Sequence, residues 1–224
     1  MRIFSIAIDG PAGSGKSTIA KIIASKLNII YVDTGAMYRA MAFYFIKDGY
    51  CVEDKEYVVS KLNDIDIELR YSDGQQHIFL NGEDVSSKIR VPEVSQASSL
   101  VSKIPEVREK LVCIQRNIAS KQSVVMDGRD IGTQVLPNAN PKIYLVADLE
   151  ERVKRRCLEY EKSGIAYNYE KEKSDMQKRD YEDMNRSVSP LKKAKDAVEI
   201  NTTDLTIEET AQKIIELISY NKER

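Results

Sequence analysis

The chain has 224 residues, and its 34 lysine and arginine residues nearly balance its 35 aspartate and glutamate residues. The formal net charge of −1 argues against a general nucleic-acid-binding protein and against a basic membrane-surface protein. The sequence has three scattered cysteines, one histidine and no apolar run near the ~18 residues of a membrane span, so we expect a cytoplasmic protein without a disulfide framework or a His/Cys metal site.

Strand-like and helical patterns alternate along most of the chain. Residues 3–8 are apolar and predict a buried strand that Asp9-Gly10-Pro11 ends, and apolar residues at helical spacing follow from Ser17. Further strands are predicted at 29–32, 123–126, 142–147 and 198–201, and further helices over 37–45, over 106–121 and after a capping box at Thr206–Glu209. This order predicts an α/β fold with a mainly parallel sheet and helices on both faces.

One stretch departs from this alternation. Between residues 65 and 85, apolar and charged residues alternate, Gly74 is a turn signal, and Asn81-Gly82 is typical of a tight hairpin. We therefore expect a small antiparallel β-insert at residues 63–86.

Gly49 is predicted to end the helix over residues 37–45.

Residues 150–186 form a highly charged segment with ten basic and ten acidic side chains. Composition alone favours one or two solvated helices, and the functional alternative is a mobile arm that carries charge to a phosphate site. Arg152, Arg155 and Arg156 have the spacing that places side chains on one helix face.

The strongest motif runs from Gly10 to Ser17 and matches G-x-x-x-x-G-K-[ST], with a predicted strand before it and a helix after it. Such a loop directs backbone N–H groups at a phosphate. We expect Lys16 to lie in a solvent-facing loop and to bridge the β- and γ-phosphates, and Ser17 to bind Mg²⁺. Asp9, Asp33, Asp127 and Asp148 also follow predicted strands and should gather at the same sheet edge.

The loop alone does not separate a kinase from a nucleotide-binding switch or a regulatory ATPase. The N/T-K-x-D run of common guanine-specific switches is absent from the sequence. Several arginines lie at strand ends or beside one another, and phosphoryl transfer between two anionic substrates needs such cations. This placement favours a kinase, whose acceptor could be shikimate or a nucleoside monophosphate.

Longer runs then resemble the bacterial cytidylate kinases, a family of P-loop nucleoside monophosphate kinases. The resemblance covers nearly the full chain in order and rests on Ile6–Thr18, Asp33–Arg39, Glu83-Asp84-Val85, Ile89-Arg90, Pro105–Arg108, Asp127–Thr133, Arg179-Asp180, Asp183, Asn185-Arg186 and Pro190-Leu191. It implies a P-loop NTPase fold, transfer of the γ-phosphoryl group of ATP to CMP or dCMP, and Mg²⁺ as the cofactor. A monomer is the default expectation for this family.

The resemblance also implies roles for individual residues. The ATP-binding loop would be Gly10, Pro11, Ala12, Gly13, Ser14, Gly15, Lys16, Ser17 and Thr18. The residues that recognise cytosine would be Ser99, Arg108 and Asp130. Asp183 would bind the sugar hydroxyls, with Thr34 nearby. The CMP phosphate or sugar would be bound by Arg39, Arg129 and Arg186. Arg156 and Arg179 would reach the transferred phosphoryl group, with Lys16 and Arg129 also catalytic, and Arg179 would also contact CMP.

The second magnesium-linked group is expected to be a carboxylate at a strand end. We assign Ser17 to the metal and Asp127 to its shell through water, with Asp9 and Asp33 as competitors. We expect three regions: a core of residues 1–35, 105–149 and 187–224, a monophosphate-binding region at 36–104, and a lid at 150–186. The lid is expected to close and thereby keep water from the γ-phosphate.

Overall fold

The computed structural model describes residues 3–72 and 75–222. Over these residues the strands are β1 Ser5–Asp9, β2 Ile30–Asp33, β3 Ile67–Ser72, β4 Gln75–Leu80, β5 Glu83–Asp84, β6 Val124–Gly128, β7 Lys142–Val146 and β8 Val198–Asn201. The α-helices are α1 Lys16–Leu27, α2 Thr34–Ile46, α3 Lys55–Lys61, α4 Pro92–Val101, α5 Pro105–Lys121, α6 Leu149–Lys162, α7 Tyr169–Asn185 and α8 Ile207–Lys222. A single π-helical turn spans Ile131–Val135.

The larger sheet confirms the predicted α/β class. Its strand order is β2-β6-β1-β7-β8, and β1 pairs in parallel with β6 and with β7, as β7 does with β8. Ile6–Ile8 of β1 and Val124–Met126 of β6 are fully buried, as expected for parallel strands covered on both faces. Because parallel strands end together, the sheet places the ends of β1, β6 and β7 at one edge.

The chain divides into two compact units, one made of residues up to 30 and from 122 onward, and the other of residues 31–121. The second unit contains the predicted antiparallel insert, with strand order β3-β4-β5. Asn81 and Gly82 connect β4 to β5 with φ values of 49° and 82°, which is the backbone of a type I′ hairpin turn. The turn predicted at Gly74 lies outside the described residues.

The core of the second unit forms where α2 buries its apolar face. Met37, Met41 and Phe45 of α2 belong to one buried cluster with Ile78 and Leu80 of the insert. Gly49 has a φ of 77°, and its amide donates to the Ile46 carbonyl at 3.1 Å. This glycine therefore ends α2 as predicted.

The charged segment of residues 150–186 forms two helices, α6 and α7, as its composition predicted. These helices are not fully solvated, because Val153, Cys157 and Met176 form a buried apolar cluster with Ala12 of the glycine-rich loop. The capping box before α8 is also confirmed, since the Thr206 and Glu209 amides each donate to the other residue's side chain at 2.8 and 3.1 Å. No helix among the described residues has the length and apolar character needed to cross a membrane.

Candidate active site

The glycine-rich loop joins β1 to α1 and has the strand and helix context that its motif requires. Gly10, Gly13 and Gly15 have φ values of 151°, 73° and 85°, a region that residues with a Cβ atom seldom occupy. At Gly10 a Cβ would lie only 2.1 Å from the Leu145 carbonyl oxygen. The loop can therefore follow this tight path only with glycine at these positions.

Lys16 begins α1, and its side chain folds back over the loop. Its Nζ donates to the Pro11 carbonyl at 2.5 Å and to Ser14 Oγ at 3.2 Å. The expectation of a solvent-facing Lys16 is wrong: the residue is only 6% exposed. Burial, and then the charge of Arg129, lower the pKa of Lys16 well below its usual value, so this ammonium group gains from any anion that arrives beside it.

Ser17 of α1 and Asp127 of β6 are joined by a side-chain hydrogen bond. Ser17 Oγ donates to Asp127 Oδ2 at 2.8 Å, and Asp127 is buried near the end of β6. A hydroxyl and a carboxylate are hard oxygen donors of the kind that suits Mg²⁺. The described residues contain no cluster of three or more His, Cys, Asp or Glu side chains able to hold a metal ion. The donor chemistry of Ser17 and Asp127 fits a magnesium ion that would need further ligands from outside the protein.

The two competing aspartates have other partners. The carboxylate of Asp9 accepts hydrogen bonds from the Ile131 and Gly132 amides at 2.8 and 2.7 Å. Asp33 caps α2 by accepting from the Ala36 amide at 2.8 Å, and it also accepts from Arg39 Nη2 at 3.0 Å. Of these three carboxylates, Asp127 is the one that the structure places against Ser17.

The first unit brings four of the predicted substrate-binding residues together. Arg129 Nε donates to Asp183 Oδ2 at 2.9 Å, and Arg186 lies 3.7 Å from Asp183 and 3.8 Å from Asp130. Burial alone would raise the pKa of Asp183, but the guanidinium groups of Arg129, Arg179 and Arg186 hold that pKa below its usual value. The cluster therefore keeps Asp183 ionised between arginines that can bind phosphate oxygens.

The three arginines at helical spacing on α6 have different partners rather than one shared target. Arg152 Nη1 donates to Asp180 Oδ2 of α7 at 2.5 Å and to the Ala12 carbonyl at 3.0 Å. Arg155 donates to Glu151 and to Thr202, whereas Arg156 lies over the Tyr160 ring at 5.9 Å. The sequence singled out Arg152 as one of three arginines on a helix face and Asp180 as part of a family run, but it did not predict that they pair. This buried pair joins both charged helices to the glycine-rich loop.

The second unit holds the other predicted CMP-binding residues. Thr34 and Arg39 lie on α2, where Arg39 pairs with Asp33, and the Asp33 amide donates to Gln76 Oε1 of the β-insert at 2.9 Å. Arg108 is buried on α5, donates to the Ser102 carbonyl at 3.3 Å and lies 5.4 Å from the centre of the Tyr38 ring. Ser99 lies half-buried on α4, and its hydroxyl donates to the Ser95 carbonyl.

The parallel sheet, the glycine-rich loop between β1 and α1, and the Ser17–Asp127 pair together define a P-loop nucleotide-binding fold. A solved structure of an uncharacterized protein from Eubacterium ventriosum shares this fold, with a TM-score of 0.52 at 16% identity over 98% of this chain and 99% of that chain. The cytidylate kinase family model matches residues 6–220, and the chain belongs to the cytidylate kinase family.

Curated relatives agree with the family match. The chain is 52% identical over 217 residues to a cytidylate kinase from Caldicellulosiruptor bescii, covering 97% of this chain and 96% of that protein. It is 50% identical over 214 residues to a cytidylate kinase from Geobacillus sp., covering 96% of each. The family that the sequence motifs resembled is thereby confirmed.

Proposed function

We propose that this chain transfers the γ-phosphoryl group of ATP to CMP or dCMP, giving ADP with CDP or dCDP. The observation that carries the proposal is the family match over residues 6–220, together with a glycine-rich loop in its required strand and helix context. Neither another small-molecule acceptor nor a switch ATPase or GTPase gains support from the family match or the named relatives.

ATP binds along the loop of residues 10–18 in this proposal. The triphosphate draws Lys16 Nζ away from the Pro11 carbonyl, because a phosphate oxygen is a stronger partner for a buried ammonium group than a neutral carbonyl. Ser17 would hold Mg²⁺ directly, and Asp127 would support the ion through water. When bound, the ion neutralises charge that develops on the phosphate oxygens.

CMP is bound through its base, its sugar and its phosphate. In the first unit, Asp130 accepts from the exocyclic amine of cytosine, Asp183 accepts from the sugar hydroxyls, and Arg129 and Arg186 donate to the phosphate. In the second unit, Arg39 and Thr34 bind the phosphate and sugar, and Ser99 and Arg108 donate to cytosine O2 and N3. The support is chemical: each proposed donor is matched with an acceptor group of the nucleotide, and each carboxylate is matched with a donor group.

Transfer needs positioning and charge stabilisation rather than a general base, since a phosphate monoester is already a nucleophile. Lys16, Arg129, Arg156 and Arg179 stabilise the transferring group. Residues 150–186 act as a lid that excludes water, and residues 36–104 act as the monophosphate-binding region. Hydrogen exchange with each nucleotide alone tests this division: CMP should protect residues 36–104 and ATP residues 150–186, and equal protection of both by either nucleotide contradicts it.

We further propose a cytoplasmic monomer whose partners are its two nucleotides, without a nucleic acid or a membrane partner. Support comes from the near-zero net charge and from Cys51, Cys113 and Cys157, which are all free thiols in the structure. Gel filtration with light scattering at increasing protein concentration measures the oligomeric state directly.

The decisive experiment incubates the protein with ATP, Mg²⁺ and one acceptor at a time: CMP, dCMP, UMP, AMP or shikimate. We expect ADP and CDP or dCDP with the cytidine nucleotides and much slower turnover with the others. The variant Asp130→Ala should lower kcat/KM for CMP by about tenfold to a hundredfold and bring the CMP to UMP ratio close to one. ATP hydrolysis that no acceptor stimulates would contradict the proposed function.

A further inference from the structure

Asp9 is a buried carboxylate that the proposed chemistry does not use. It is the last residue of β1, directly before the glycine-rich loop, and only 4% of it is exposed. Its two oxygens accept separately, Oδ1 from the Ile131 amide at 2.8 Å and Oδ2 from the Gly132 amide at 2.7 Å. One side chain thus holds two successive backbone groups that lie 122 and 123 residues further along the chain.

Those two amides belong to the turn that carries Asp130. The π-helical turn begins at Ile131, directly after Asp130, whose carbonyl accepts from the Gln134 and Val135 amides at 2.8 and 3.2 Å. These backbone hydrogen bonds connect residues that are close together in the chain. The carboxylate of Asp9 is the contact that ties the start of the turn to the strand leading into the phosphate loop.

The fit between Asp9 and the turn is close. A Cβ atom on Gly132 would lie 3.3 Å from Asp9 Oδ2 and 3.1 Å from Lys142 Cδ, so a larger residue there would crowd the carboxylate. Burial raises the pKa of Asp9 to about 6, although the amides of Gly132 and Ile131 act in the opposite direction. Burying an acidic side chain costs free energy. Packing of the turn alone therefore does not explain a buried acid at this position.

We propose that Asp9 is a positioning residue for cytosine recognition: by holding the Ile131 and Gly132 amides, it fixes the backbone from which Asp130 meets the base. This inference rests on the proposed role of Asp130. It makes β1 serve both nucleotides, because the same strand leads into the phosphate loop at its end and anchors the base-reading turn through its last side chain.

The test uses Asp9→Asn, which keeps the size of the side chain but places an NH₂ group against one backbone N–H. We expect KM for CMP to rise roughly tenfold or more, as for a lost hydrogen bond to a charged group. KM for ATP should change by less than about threefold, and the CMP to UMP ratio of kcat/KM should fall. The matched control is Asp148→Asn, an exposed aspartate after β7 whose side chain makes no capping bond. The control should leave all three values unchanged.

A double-variant cycle separates positioning from a general structural effect. If Asp9 acts through Asp130, adding Asp9→Asn to Asp130→Ala should lower the CMP to UMP ratio no further. Hydrogen exchange of the ligand-free protein should show faster exchange at residues 131–132 in Asp9→Asn, with circular dichroism unchanged.

Three results would overturn the inference: equal losses for ATP and CMP, additive effects in the cycle, or unchanged exchange at residues 131–132. In each case a wild-type protein that still phosphorylates CMP leaves the proposed function intact. A wild-type protein without CMP-dependent turnover refutes the function itself.

Discussion

The candidate site of the first unit and the β-insert of the second unit hold their charged side chains in different ways. In the first unit, Arg152 and Asp180 pair with side-chain exposures of 8% and 11%, and Arg129 and Asp183 pair with exposures of 19% and 11%. In the β-insert of the second unit, Arg70 and Glu68 pair with exposures of 54% and 48%. The pairs have similar distances, so distance alone does not distinguish them.

Burial is what separates the two kinds of pair. An exposed pair contributes little, since water solvates each partner almost as well. A buried pair costs desolvation, and either partner left alone costs more. We therefore expect that substitutions in the first unit's buried pairs disturb stability and catalysis together, whereas those on the β-insert disturb neither.

The largest effect on stability is expected for Arg152→Met, which leaves Asp180 as an unpaired buried charge. The free energy of unfolding should fall by about 3–5 kcal/mol in urea titrations. Lys154→Met is the matched control on the same helix, because Lys154 is exposed, and it should cost about 0.5 kcal/mol or less. The double variant Arg152→Met/Asp180→Leu should recover part of the loss, and no recovery would mean that the pair is not the cause.

A second test concerns Asp9. Burial raises the pKa of this residue from an ordinary 3.8 to about 6. Between these values the folded protein binds more protons than the unfolded chain, so stability falls as pH rises from about 4 to 7. The pKa difference corresponds to about 3 kcal/mol in total. Urea unfolding across this range should show the free energy of unfolding of wild type falling relative to that of Asp9→Asn as pH rises. A constant difference between the two proteins would show that Asp9 does not titrate there.

Lys16→Ala tests the loop itself. Its contact with the transferring group should strengthen in the transition state, so kcat should fall about a hundredfold or more. Because Lys16 is buried against Pro11 and Ser14, its unfolding midpoint should be measured alongside. Lys16→Met is the matched variant, since it fills the same space without the charge. Normal turnover by either variant would remove Lys16 from the phosphate-binding role.

The sequence predicted the elements that depend on local patterns. The apolar run at Ile6–Ile8, the Asn81-Gly82 turn and the Thr206–Glu209 capping box all gave the structure expected of them. Helix α4 was missed because Ser95, Ser98 and Ser99 weaken the helical signal. Their hydroxyls instead donate to backbone carbonyls one turn earlier. Helix α3 has only seven residues, too few for its periodicity to stand out.

Within the candidate site, the glycine-rich loop was predictable and most of its long-range partners were not. Arg129 and Asp183 are 54 residues apart in the chain, and Arg152 and Asp180 are 28 apart, distances at which no local pattern operates. One signal was available: Met176, Asp180 and Asp183 have the i, i+4, i+7 spacing of a buried helix face, and all three are buried. Two acids on such a face indicate buried cationic partners.

The smallest effect is expected for Glu68→Gln on the β-insert. The substitution removes the ion pair, while Arg70 keeps its position 4.0 Å from the centre of the Phe79 ring. Since both partners of the pair are about half exposed, the free energy of unfolding should change by less than about 0.5 kcal/mol. High salt should remove even that difference, because screening acts strongly on exposed charges. CMP and ATP kinetics should match wild type, for the substitution touches no residue assigned to either nucleotide. A loss of CMP affinity in Glu68→Gln would show that surface charge on the insert contributes to substrate binding, and the contrast between the candidate site and the β-insert would then fail.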